Sequence, residues 1–148
     1  MIGDIHHLGF SVRDVEVSAS WYEDVLGFSR TGEYSAPDGS RRKVFLRHEG
    51  LRARLGLTEH RSRAAHVFDE TAPGLDHLAF SVSSRDELDR WFERFVALGV
   101  RCSPPAPANS IDGAAVLVFR DPDNIQLELF FEPAGPEFQA PAFRRPGG

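Results

Sequence analysis

Seventy residues separate two nearly identical strings in this chain, HLGFSV at 7–12 and HLAFSV at 77–82, with five identities in six. The same offset lays Trp21 over Trp91 and Tyr22 over Phe92, and a two-residue shift brings LGF at 26–28 over LGV at 98–100. Further along, VFLRHEGLRARLGLTE (44–59) follows the pattern of VLVFRDPDNIQLELFF (116–131) after one more residue of slippage. Self-similarity at this period marks a duplicated supersecondary unit. The chain reads as two copies of one module.

Each copy opens with a strand and continues with helical spacing. In DVEVSASWYEDVLG, Val17, Trp21 and Val25, with Tyr22 beside them, recur at the helical period between an N-cap at Asp14 and a closing Gly27. In SSRDELDRWFERFVALG, the apolar set is Leu88, Trp91, Phe92, Phe95 and Leu98, with Ser83 or Ser84 as cap and Gly99 as stop. Both tryptophans are read as core. Segments of strand character follow: GEYSA, RKVFLRH and ARLGLT in the first copy, then a Pro-rich stretch, AAVLVFR and IQLELFF in the second. The expected organisation is a single domain over 1–132, with β-α-β-β-β modules at about 3–60 and 75–132, a polar linker between them, and a Pro/Gly-rich tail at 133–148.

At 148 residues and 41% hydrophobic side chains, the chain can bury one sizeable core or two small fused ones, and no more. Lys plus Arg number 17 against 22 Asp plus Glu, a net charge of −5 that argues against a dedicated nucleic-acid binder and for small-molecule partners. The lone Cys102 forms no intrachain disulfide, no signal-like segment opens the chain and no run is apolar enough to span a membrane, so a cytoplasmic location is expected.

Strand parity then singles out a site. In HHLGFSV, Leu8, Phe10 and Val12 share the face suited to a helix, which sends His7, Gly9 and Ser11 to the other face. His77, Ala79 and Ser81 repeat the arrangement. In IQLELFF, the residues Ile125, Leu127, Leu129 and Phe131 take the helix side, and Gln126, Glu128 and Phe130 turn to the face that carries the histidines. A lone strand histidine is more often a hydrogen-bonded core residue than a ligand. Two modules placing it at one register, with a mid-strand carboxylate that is costly to bury unpaired, argue for a metal. Two imidazoles and a carboxylate are the usual donors to a first-row divalent ion and leave coordination positions open. His7, His77 and Glu128 are the predicted ligands, whereas His6, whose repeat partner is Asp76, reads as a polar strand-end residue.

With HHLGFSV, WYEDVLGF, LDHLAFSV and FRDPDNIQLELF in hand, the chain resembles the vicinal oxygen chelate superfamily over residues 3–132. That superfamily includes glyoxalase I, bleomycin-resistance proteins, extradiol dioxygenases and fosfomycin-resistance enzymes. The resemblance implies an α+β fold, two tandem β-α-β-β-β modules forming a curved, cup-shaped mixed sheet with helices outside. It matches His7 to the first metal ligand of the family, His77 to the third and Glu128 to the fourth. The second position, a glutamate in glyoxalase I, falls on Gly56, with Glu59 and His60 close enough along the strand to reach inward.

The implied function is a glyoxalase-like enzyme of lyase or isomerase type that uses Fe2+, Ni2+, Zn2+, Co2+ or Mn2+ as a Lewis acid, with Glu128 moving the proton. Two alternatives are an Fe(II) extradiol-type dioxygenase, with His48, His60, His66 and Tyr34 as possible neighbours of substrate by residue type, and a metal-free binding module of bleomycin-resistance kind. Fosfomycin modification is disfavoured, because Gly9 stands where that branch has Thr. Arg54, by strand parity, and Arg120, Phe130 and His60 are the expected substrate contacts. A homodimer is expected, with the site formed either within one chain or across two.

Overall fold

A computed structural model describes residues 2–62, 67–108 and 111–133. The tail beyond Pro133 and His66 in the linker lie outside the described residues. The first module runs β1 (His7–Val12), α1 (Val15–Leu26), β2 (Ser29–Ser35), β3 (Arg41–Arg47) and β4 (Arg54–His60). The second runs β5 (Leu78–Ser81), α2 (Arg85–Ala97), β6 (Ala106–Pro107), β7 (Ala115–Arg120) and β8 (Gln126–Phe131). Each module builds a four-stranded mixed sheet, in the orders β1-β4-β3-β2 and β5-β8-β7-β6. The duplicated α+β architecture is thus the one the repeat implies. Among the described residues, no helix is long and apolar enough to cross a membrane.

Local chemistry explains the boundaries. The Asp14 carboxylate accepts from the N–H groups of Glu16 and Val17, and Gly27 closes α1 at φ 76, a left-handed conformation that costs a side chain strain. Ser84 caps α2 by accepting from the Glu87 N–H, while the Ser83 hydroxyl and N–H both donate to the Glu87 carboxylate. In the second module the Pro-rich stretch leaves only a two-residue β6, because Pro104, Pro105 and Pro107 offer no N–H to a ladder.

The parity argument holds in both sheets. Phe10 and Val12 are buried, and His7, Gly9 and Ser11 lie exposed on the open face. The helical stripes need a correction: Val17 is 56% exposed and Leu98 49% exposed, so neither belongs to the core. In α1 the buried face is Val15, Ser18, Ala19, Tyr22, Val25 and Leu26, rotated from the Val17–Trp21–Val25 line. The reason is that α1 packs on two partners, its own sheet and the second module, and the second partner takes the Ser18–Tyr22 side.

That joint is polar as well as apolar. Tyr22 donates to Asp121 at 3.0 Å, the Ser18 hydroxyl donates to Asp123 at 3.0 Å, and the Arg13 Nε donates to the same Asp123 at 2.8 Å. Trp21 stacks on Phe119 with centroids 6.3 Å apart, and Phe28 meets Phe80 edge-on at 6.2 Å. On the other side Arg94 of α2 donates to the Asp24 carbonyl at 2.9 Å. Helix-side residues make all of these contacts. The modules of one chain therefore meet through their helix faces, and the two sheets share no ladder.

Asp121 also accepts from the N–H groups of Asp123 and Ile125, fixing the turn that launches β8. Burial outweighs these donors and raises its pKa from 3.8 to about 6. A carboxyl whose folded pKa is raised contributes stability that is complete below its unfolded pKa and is lost as pH rises through the folded one. Stability is therefore expected to fall between about pH 4 and 6 by on the order of 2–3 kcal/mol from this group. Asp121→Asn, which keeps an oxygen for both backbone donors, is expected to remove that slope and to raise the urea midpoint at pH 7.5. A variant whose midpoint tracks wild type at both ends of the window would contradict this.

Candidate metal centre

The second module brings two of the three predicted ligands together. β5 and β8 are parallel neighbours with Ala79 beside Glu128, so His77, at the entry to β5, and Glu128 share the open face. The His77 Nε2 lies 3.6 Å from a Glu128 oxygen. Behind the ring, Asp76 takes the His77 Nδ1 in a hydrogen bond. With Nδ1 engaged by Asp76, Nε2 is the ring nitrogen that faces Glu128 and would be the one to hold a metal. The two donor atoms then face one another across a gap that two bonds of about 2.1 Å span. Glu128 is the more enclosed partner, its side chain 13% exposed against 41% for His77.

His7 stands elsewhere. It begins β1, opposite Arg54 on β4, and its ring meets His6, with the two Nδ1 atoms 2.9 Å apart. Among the described residues, no three His, Cys, Asp or Glu side chains gather as a metal-binding group within one chain. Within one chain the modules meet through helix-side residues, and the sheet of His7 shares no ladder with the sheet of His77 and Glu128.

Other predicted residues are distributed as follows. Arg54 is exposed beside His7, and Gly56 lies between Gly9 and Phe45 on the same open face. Glu59, one of two residues considered for the place of the missing second ligand, points the other way and accepts from the Val15 N–H at the start of α1, while His60 ends β4 in an exposed position. His60, Gly9 and Ser11 line a hollow of about 500 Å3 with Phe68 and Leu75 of the linker. Phe130 is half-buried next to Glu128 on β8. Arg120 is fully engaged: it grips the Glu70 carboxylate with both terminal nitrogens and donates to Gln126 and to the Asn124 carbonyl, tying the linker to β8. His48 leaves the sheet face altogether and packs on Phe28 in an apolar cleft between the modules, its Nδ1 accepting from the Gly50 N–H. Tyr34 lies on the open face of the first sheet beneath Arg41. Sequence reasoning missed Asp76 as a histidine partner; its adjacency to His77 was the available signal.

A sequence model of the glyoxalase/bleomycin resistance protein/dioxygenase superfamily matches residues 4–129. The chain belongs to this superfamily. A glyoxylase/bleomycin resistance protein/dioxygenase domain from Frankia sp. EAN1pec is 31% identical, covers 88% of this chain and 98% of its own, and superposes with a TM-score of 0.78. The Bacillus subtilis (strain 168) protein YwkD, itself uncharacterized, is 28% identical over 130 residues, 88% of this chain and 98% of its own. The fosfomycin resistance protein FosX from Listeria monocytogenes shares the fold at a TM-score of 0.67 and 22% identity, with 90% and 97% of the two chains covered.

Proposed function

We propose that this protein is a divalent-metal-dependent, glyoxalase-like enzyme of lyase or isomerase type, active as a homodimer. His77 and Glu128 of one copy and His7 of a second copy hold the metal. The observation that carries this reading is the His77–Glu128 donor pair, 3.6 Å apart with Asp76 orienting the imidazole. Both ligand strands support the dimer: β1 and β5 are edge strands, each with one side of its ladder unpaired. Joining them side by side and parallel between copies would bring the His7 end of one sheet to the His77 end of the other.

The metal, when bound, supplies Lewis acidity toward two neighbouring oxygens of a small substrate. Glu128 supplies the proton-transfer group, its half-enclosed carboxylate taking a proton from carbon and returning it. Phe130 walls the same face and restricts water near that carboxylate. With Gly56 in place of a second glutamate, proton movement rests on one carboxylate only, which favours chemistry needing a single base.

Mixing two inactive variants tests the dimer and the ligand set together. Neither His7→Ala nor His77→Ala is expected to bind zinc at the site alone. After unfolding and refolding of an equal mixture, heterodimers carry one intact site each, so about a quarter of the wild-type zinc capacity is expected to return. No recovery, with dimers verified by light scattering, would place the three ligands within one chain or nowhere. Iron with oxygen consumption on catechols, in place of metal-only turnover, would move the assignment to the dioxygenase alternative.

A further inference from the structure

The open face of the first sheet has a charge pattern that a protein of net charge −5 does not predict. At the His7 end of the face His7 pairs with Arg54 and Arg47 with Ser29, Arg54 and Arg47 each lying one residue beyond the paired Leu55 and Leu46. The next row is Gly9, Gly56, Phe45 and Gly32, and the one after it Ser11, Thr58, Lys43 and Tyr34. Arg41 and His60 pair beyond that. Four cations lie on this face and no strand carboxylate does.

The opposite face shows that this is a segregation. There, Arg30 is held by Glu16, Glu23 and Glu33, and Arg42 by Glu16. Every basic strand residue on the helix side is ion-paired. On the open side Lys43, Arg47 and Arg54 have no such partner among the described residues, whereas Arg41 lies over the Tyr34 ring and within electrostatic reach of Asp38. Like charges arranged this closely repel and are relieved by an anion.

The floor between the rows has room for one. Nothing lies within 4 Å of where a side chain on Gly9 would begin, and one on Gly56 would meet only Leu8 O at 3.7 Å and Phe45 at 3.9 Å. With strands about 4.8 Å apart, Arg54 and Arg47 stand roughly 5 and 10 Å from the His7 strand, within reach of one small molecule. Two arginines on neighbouring strands carry the planar guanidinium donors that phosphoryl and carboxylate oxygens accept.

We propose that Arg54 and Arg47 form an oxyanion subsite and that the substrate carries a phosphate, phosphonate or carboxylate group at the end away from the reacting carbon. Lys43 and Arg41 supply the long-range field that draws it in. The identification of the occupant as substrate rests on the metal-site reading above; the subsite itself does not.

The test is a titration of the full-length protein with inorganic phosphate, acetate and chloride at matched ionic strength, followed through amide and arginine Nε–H resonances. Phosphate or acetate is expected to shift Arg47 and Arg54, and whichever binds more tightly names the group. Arg47→Gln and Arg54→Gln, both exposed and checked for fold by circular dichroism, are each expected to weaken that binding about tenfold or more. Arg90→Gln on the outer surface of α2 is expected to leave it unchanged. A response no greater than chloride's, or Gln variants that bind like wild type, would overturn the subsite. So would tight binding of an oligothymidylate on this face without competition from phosphate. Separate zinc titrations keep the two readings apart: both Gln variants are expected to bind zinc like wild type, and His77→Ala to bind the oxyanion like wild type. Oxyanion binding without zinc binding would leave the subsite standing and remove the metal-site reading.

Discussion

Glu128→Gln is expected to lower the affinity for a divalent metal at least about a hundredfold, and His77→Ala at least as much. Loss of even an outer partner of a metal ligand costs 10–100-fold, so loss of a ligand sets the lower bound there. Asp76→Asn measures that outer contribution directly, because its effect comes only through the His77 Nδ1 contact; about tenfold is expected. Competition against a chelator of known affinity gives the numbers. The rise in melting temperature with added metal, which follows from binding only the native state, is expected to vanish in Glu128→Gln. Wild-type affinity in Glu128→Gln would remove this carboxylate from the ligand set, and with it the assignment of the proton-transfer group.

Phe119→Ala is expected to be the most destabilising single truncation, at about 3–5 kcal/mol. Phe119 is 1% exposed, packs on Phe95 of α2 with centroids 4.6 Å apart, and stacks with Trp21 of the other module. Its removal leaves a void that both helices border and weakens the joint along with the second core. Because typical native stability is only about 5–15 kcal/mol, much of the population would unfold under mild denaturant. Val17→Ala, on the exposed side of α1, is expected to stay within about 0.5 kcal/mol. Urea unfolding of the pair decides the matter; equal midpoints would mean that the modules do not depend on each other through Phe119.

Much of this architecture was legible in the residues. The repeat identified two modules, and the alternation in HLGFSV, HLAFSV and IQLELFF correctly separated the open face from the helix face. Asp14, Gly27 and Ser84 ended helices where their chemistry requires. What the periodicity missed was the second surface of α1. A helix with two packing partners buries a wider arc than a stripe calculation draws, and Ser18 was recruited into that arc by Asp123, about a hundred residues away. Strand parity gave the face of Arg120 but not its contacts, because Glu70 arrives from a linker that has no periodicity to read. Pairing of His77 with Glu128 followed from register, whereas the location of His7 depended on how whole modules dock, which no local pattern encodes.

The Tyr22–Asp121 contact bears on how this duplicated protein can change. Copies of a duplicated unit ordinarily drift apart, each constrained by its own interior. Here Asp121 both receives Tyr22 from the first half and sets the turn that leads into β8, the strand that carries Glu128. The placement of a chemical group in one half is thus inherited from a helix in the other. Neither half is free to be replaced or reshaped alone, and grafting a foreign second module onto this first one would transplant its carboxylate without the hydroxyl that sets its position.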